Sequence, residues 1–88
     1  MGAKDWTVRI HLDEDGDDTR AQATLAADGT RVTGTGRARR NPADPAVAEI
    51  GDELAASRAL ADLADKLAIM TQRDIAGSAD SPPPPRSW

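Results

Sequence analysis

The chain contains no cysteine, tyrosine or phenylalanine, only one histidine, and two tryptophans. Without cysteine there is no disulfide framework and no thiol nucleophile, so nothing supports an oxidising compartment. The lone histidine, His11, has no cysteine or serine partner at a motif spacing, which leaves no recognisable catalytic constellation. No apolar run is long enough to span a bilayer, and no apolar leader with small-residue cleavage signals opens the chain. These absences lead us to expect a non-enzymatic, soluble, cytoplasmic protein with no cofactor, no bound metal and no membrane partner.

What is present is 88 residues, 39% hydrophobic and 30% charged, with a net charge of −4. Folded-area scaling gives roughly 5,000 Å² exposed against about 13,500 Å² in the unfolded chain, a burial of about 63% that leaves little reserve of stability. One small domain is expected over residues 1–77, with a proline-rich tail from 78 to 88. Trp6, Val8, Ile10 and Leu12 alternate with Thr7, Arg9 and His11, the pattern of a half-buried strand. The acidic run Asp13-Glu14-Asp15-Gly16-Asp17-Asp18 reads as a loop, because like charges repel and Gly and Asp favour turns. A second, weaker alternation sets Ala21, Ala23 and Leu25 against Arg20, Gln22 and Thr24. Asp28-Gly29 is the dipeptide that accepts positive φ at both positions of a tight hairpin turn. The returning strand then carries Val32, Gly34, Gly36 and Ala38 on one side and Arg31, Thr33, Thr35, Arg37 and Arg39 on the other.

Asn41-Pro42 and Asp44-Pro45 end the sheet, and Asn41 and Asp44 are read as turn residues that bond nearby backbone donors. From Ile50 to Met70 the apolar residues at 50, 54, 60, 63, 67 and 70 follow helical spacing, with alanines filling the stripe. The small residues Ala21, Ala23, Gly34, Gly36 and Ala38 would let that helix approach the sheet closely. Thr71-Gln72-Arg73-Asp74 resembles a capping pattern, so a second short helix ending at Gly77 is expected. The fold class is therefore α+β, a three-stranded antiparallel meander followed by one long and one short helix on one sheet face. Arg58 and Asp62 stand four residues apart and are expected to pair on the helix surface.

Specific blocks of this chain resemble a family of small actinobacterial proteins carrying a domain of unknown function. The matching blocks are Gly34-Thr35-Gly36-Arg37-Ala38-Arg39-Arg40-Asn41-Pro42-Ala43-Asp44, Glu49-Ile50-Gly51-Asp52-Glu53-Leu54 and Ser57-Arg58-Ala59-Leu60-Ala61-Asp62-Leu63. Trp6-Thr7-Val8, Thr19-Arg20-Ala21 and Asp74-Ile75 extend the likeness over nearly the whole chain outside its ends. The resemblance implies an antiparallel sheet with helices on one face, related to double-stranded-RNA-binding folds. It also implies dimers whose paired sheets are similar to those of ribosome hibernation factors. The family pattern carries apolar residues where this chain has Arg37 and Arg40.

Four features could carry function. With the strand parities above, Arg9, Arg20, Arg31, Arg37 and Arg39 share the uncovered sheet face with His11 and no carboxylate. An arginine's planar donor fork suits phosphate, so this face is a candidate for a ribosome or structured RNA, with no DNA partner expected. Against it stand the missing Phe and Tyr for base stacking and the acidic total. The same face could instead hold a protein, including a second copy of the chain, and a homodimer is expected because so small a sheet leaves edges uncovered. The acidic run invites a calcium reading, but a calcium loop wants glycine sixth and glutamate twelfth, where this run has glycine fourth and Thr24 twelfth. Gly34-x-Gly36 lacks a third glycine and a following helix, so packing explains it better than phosphate binding. Pro82 to Pro85 with Arg86 misses the usual proline-ligand spacing by one position and reads as an unstructured tail.

Overall fold

A computed structural model describes residues 2–41, 43 and 47–79. Three strands, β1 (Thr7–Asp15), β2 (Asp18–Ala27) and β3 (Thr30–Arg39), form an antiparallel sheet in the order β1-β2-β3, and one helix, α1 (Ala48–Ala79), follows. The expected α+β meander is present. The Asp28-Gly29 turn has φ of 53° and 77° at its two residues, as its dipeptide requires.

The acidic run departs from expectation. It is strand rather than loop: β1 runs through Asp15, and only Gly16 and Asp17 separate it from β2. Gly16, at φ 61°, supplies the left-handed residue of a two-residue turn. The charge problem is relieved in part across the sheet, where Asp13 stands opposite Arg20 and Asp18 opposite Arg39, although Asp15 faces Asp18. Asp18 accepts from the Arg37 guanidinium at 3.3 Å, and Arg40 pairs with Asp17 at 2.8 Å. Cross-strand neighbours of opposite sign thus offset the repulsion that a single-strand reading sees.

The second correction concerns the helices. No break occurs at Thr71, because its hydroxyl donates to the Leu67 carbonyl at 3.0 Å, one turn back, instead of capping a new helix. Gly77 lies within the same helix, and the capping signal therefore misled. At 1.5 Å per residue, the 32 residues extend about 48 Å, longer than the sheet, and Thr71 to Gly77 are all exposed. The helix continues two residues beyond the expected domain end. The proline run and the Asp44 turn lie outside the described residues, whereas Asn41 does accept from the Ala43 amide at 3.1 Å.

The core is made of small residues. Ala21, Ala23, Leu25, Val32 and Ala38 of the sheet meet Ala55, Ala59 and Leu63 of α1. A Cβ built on Gly34 would run into the backbone of Ala59 and Leu63, and one on Gly36 into that of Ala55 and Ala59. Helix and strand backbones therefore touch where only glycine fits. This close approach sets the helix's rotation: the Ala55-Ala59-Leu63 ridge faces the sheet. Ile50, Leu54 and Leu60, expected in the buried stripe, are turned out and stay 59%, 41% and 42% exposed.

Candidate functional site

The register confirms the strand parities. Arg9 is level with Thr24 and Thr33, His11 with Gln22 and Thr35, and Arg31 with Ala26 and Thr7, all on the face away from α1. Arg9, Arg20, Arg31, Arg37 and Arg39 are exposed there together. The face is not free of acid, however. Because the strands extend into the acidic run, Asp13, Asp15 and Asp18 join it. Five arginines against three aspartates leave a net +2, and the charges are segregated along the strands. Toward the Gly16 turn, Asp18 holds Arg37 at 3.3 Å and lies 3.9 Å from Arg39. Toward the Asp28-Gly29 turn, Arg9 and Arg31 stand among threonines, and Thr24 and Thr33 share a hydroxyl contact of 3.3 Å.

The opposite face holds a feature that sequence reasoning read only as the alternation of a half-buried strand. Val8, Ile10 and Leu12 point to the helix side of β1, opposite Leu25, Ala23 and Ala21. Their β2 partners are buried, but they remain 38%, 38% and 40% exposed because α1 lies over β2 and β3. Trp6, 58% exposed, continues the same alternation one residue ahead of the strand. Arg58, Asp62 and Lys66 lean from α1 toward β3. Leu60, about 100° round the helix from the alanine ridge on the other flank, therefore looks over β1. Strand and helix flank together make an open apolar angle.

The two sheet edges also differ. Along β3, the Arg58 guanidinium donates to the Arg37 carbonyl at 2.7 Å, Lys66 Nζ donates to the Thr33 carbonyl at 2.7 Å, and the Thr35 amide donates to Asp62 Oδ2 at 2.8 Å. Asp62 also pairs with Lys66 at 3.1 Å, and the Thr35 amide and Lys66 together hold its carboxyl below the usual aspartate range. The expected Arg58–Asp62 pair is replaced by this strip, in which each residue serves a backbone group of β3. Its signal was legible: charges at 58, 62 and 66 sit one position before the ridge residues 59, 63 and 67. Along β1 no side chain performs this service among the described residues. Glu14 of β1 lies beside Asp52 of the helix, and a hydrogen bond to Asp52 open to its protonated form raises the Glu14 pKa, with the Asp52 and Glu49 charges adding to the rise.

A cleft of about 480 Å³ opens beside the start of α1, lined by Val47, Ile50, Leu54, Thr19 and Ala38 together with Arg40 and Glu14. Among the described residues no three His, Asp or Glu side chains are grouped to hold a metal ion. No described helix is long and apolar enough to cross a membrane.

An antiparallel meander with one helix laid across two of its three strands defines a small open-sheet α+β protein. The chain belongs to the Rv2632c-like family, whose pattern matches residues 4–83. It is 44% identical over 79 residues to the uncharacterized protein Rv2632c of Mycobacterium tuberculosis, covering 90% of this chain and 85% of that one. The uncharacterized protein Mb1767 of Mycobacterium bovis is 44% identical over 77 residues, 88% of this chain and 82% of its own. The crystal structure of Rv2632c superposes with a TM-score of 0.85 at 43% identity, over 93% of this chain and 98% of that one. These mycobacterial relatives accord with the actinobacterial resemblance drawn from the sequence.

Proposed function

We propose that the protein is a non-enzymatic interaction module that associates with itself through the helix side of β1. The observation that carries this reading is the exposure of Val8, Ile10 and Leu12, residues patterned for a core that the single helix does not complete. With Trp6 they make an exposed apolar strip along β1, a row of neighbouring large side chains of the kind that supports an interaction site. Sedimentation over a concentration series tests the reading: wild type should dimerise at micromolar concentration, and Ile10→Glu should be monomeric with its helical signal intact. Wild type that stays monomeric at high concentration would overturn it.

A second reading, association with structured RNA or the ribosome, draws on Arg9, Arg20 and Arg31. Among the described residues no hydrogen bond or ion pair engages these three side chains. The segregation of charge moves the expected contact toward Arg9 and Arg31, away from the Asp18-bound Arg37. On this reading Arg9→Glu with Arg31→Glu abolishes a salt-sensitive cosedimentation with ribosomes, whose affinity falls with a log-log slope of roughly −0.7 to −0.9 per phosphate contact.

A further inference from the structure

The self-association reading leaves open how two copies meet, and the sheet edges answer that. In an antiparallel pair, alternate residues turn their N–H and C=O toward the partner strand, and the residues between turn theirs away. Asp15 and Asp18 flank the two-residue Gly16-Asp17 turn as a hydrogen-bonded pair, so the odd-numbered residues of β1 bond to β2. Val8, Ile10, Leu12 and Glu14 therefore aim their backbone groups outward from the free edge. These are the positions whose side chains form the apolar strip. On β3 the equivalent outward groups belong to the odd-numbered residues, and those of Thr33, Thr35 and Arg37 are taken by Lys66, Asp62 and Arg58. One edge is thus plugged by the helix, and the other is a nine-residue strand with no proline, bulge or lysine to protect it.

We propose that β1 pairs antiparallel with β1 of a second copy, with Ile10 on the two-fold axis, giving a six-stranded sheet with both helices on one side. This rests on the self-association reading and specifies its geometry. Centred on Ile10, the pairing sets Ile10 against itself and each Val8 against the other copy's Leu12, so all three exposed apolar residues gain a cross-strand apolar neighbour. On the far face Arg9 falls opposite the second copy's His11 and diagonal to its Asp13, within reach of a long side chain, and neither Arg9 nor Asp13 has an ion-pair partner among the described residues. Shifting the axis to His11 puts Val8 opposite Glu14. Shifting it to Arg9 sets two guanidinium groups against each other. The Ile10 axis is the one that gives Val8, Ile10 and Leu12 apolar neighbours and sets no like charges directly opposite within β1; Trp6, ahead of the strand, falls opposite the second copy's Glu14.

The absence of native cysteine makes the register directly readable. In the proposed dimer Arg9 and His11 of opposite copies form a non-hydrogen-bonded pair, with Cα atoms about 4.5 Å apart, inside the range a disulfide spans. Full-length Arg9→Cys and His11→Cys proteins are prepared singly, then mixed, oxidised and resolved without reductant. A disulfide-linked dimer in the mixture, and in neither protein alone, is the expected result. Cross-linking of His11→Cys alone, or of Arg9→Cys alone, would place the axis elsewhere and overturn the proposal. If sedimentation shows that the variants dimerise yet no sample cross-links, edge pairing fails while self-association stands. If wild type and variants are monomers, both fall.

Discussion

The edges of this sheet are built from the same backbone and treated in opposite ways. Along β3, the helix sends Arg58, Asp62 and Lys66 across to the outward carbonyls and amide. Along β1, the helix reaches the strand through Glu14 and Asp52, two groups of the same sign. The difference follows from where the helix can lie. Gly34 and Gly36 are both on β3, and backbone contact there draws α1 toward that side. Covering one edge and baring the other are thus consequences of one packing choice. Edge protection in so small a domain need not come from the strand's own sequence; it can be lent by a neighbouring helix.

The harshest way to break the comparison is to forbid the close approach. Gly36→Val puts a branched side chain where even a single Cβ would strike the backbone of Ala55 and Ala59. Overpacking against side chains costs about 1 to 3 kcal/mol, and backbone yields less readily, so the loss should exceed that range and leave no cooperative thermal transition. A normal melt would mean that helix and strand are not in contact there. Leu63→Ala acts on the same ridge by subtraction. Leu63 is 3% exposed, and its truncation should cost on the order of 2 to 5 kcal/mol. An unchanged melting temperature would contradict the observed rotation of the helix.

Removing the edge plug should cost less stability and change more behaviour. Asp62→Ala frees the Thr35 amide and strips Lys66 of its carboxylate, leaving it the Thr33 carbonyl. If the contrast between edges is what limits assembly, this variant opens the β3 edge at Thr35 and forms species larger than the wild type, seen as a heavier, concentration-dependent boundary in sedimentation. An Asp62→Ala profile identical to that of wild type would show that the strip does not guard the edge.

How much of this could be read from sequence depended on whether a signal was local. The Trp6-to-Leu12 alternation and the Asp28-Gly29 turn depend on nearest neighbours, and both stand in the structure. The small inward residues Ala21, Ala23, Gly34, Gly36 and Ala38 foretold the close helix approach. The acidic run misled because its compensation comes from Arg20 and Arg37 on other strands. The same extension brought Asp13, Asp15 and Asp18 onto a face read as free of acid. The helix stripe was misphased by ranking Ile50, Leu54 and Leu60 above alanine, when the glycines opposite draw the Ala55-Ala59-Leu63 ridge onto the sheet. The exposed strip on β1 was invisible for a related reason: alternation says which residues share a face, not whether a helix covers it.

The finest test uses pH, because the two edges carry carboxyl groups shifted in opposite directions. Asp62 is lowered by the Thr35 amide and by Lys66. Its contribution is present above its unfolded value, near the ordinary aspartate pKa of about 3.9, and is lost as pH falls through the lower folded value. Glu14 is raised, first by its hydrogen bond with Asp52 and then by the Asp52 charge. The stabilisation tied to its proton is complete below its unfolded value, near the ordinary glutamate pKa of about 4.3, and fades as pH rises through the higher folded one. Acidifying from neutrality should therefore first tighten the link between β1 and α1, and only at lower pH loosen the strip along β3. A melting-temperature profile should rise slightly into the mildly acidic range before it falls. Glu14→Gln should remove the rise and keep the fall, whereas Asp62→Asn should soften the fall and keep the rise. Both effects are small, since each group is solvent-accessible and screened. If Glu14→Gln leaves the mildly acidic rise unchanged, the Glu14–Asp52 contact does not tie β1 to the helix.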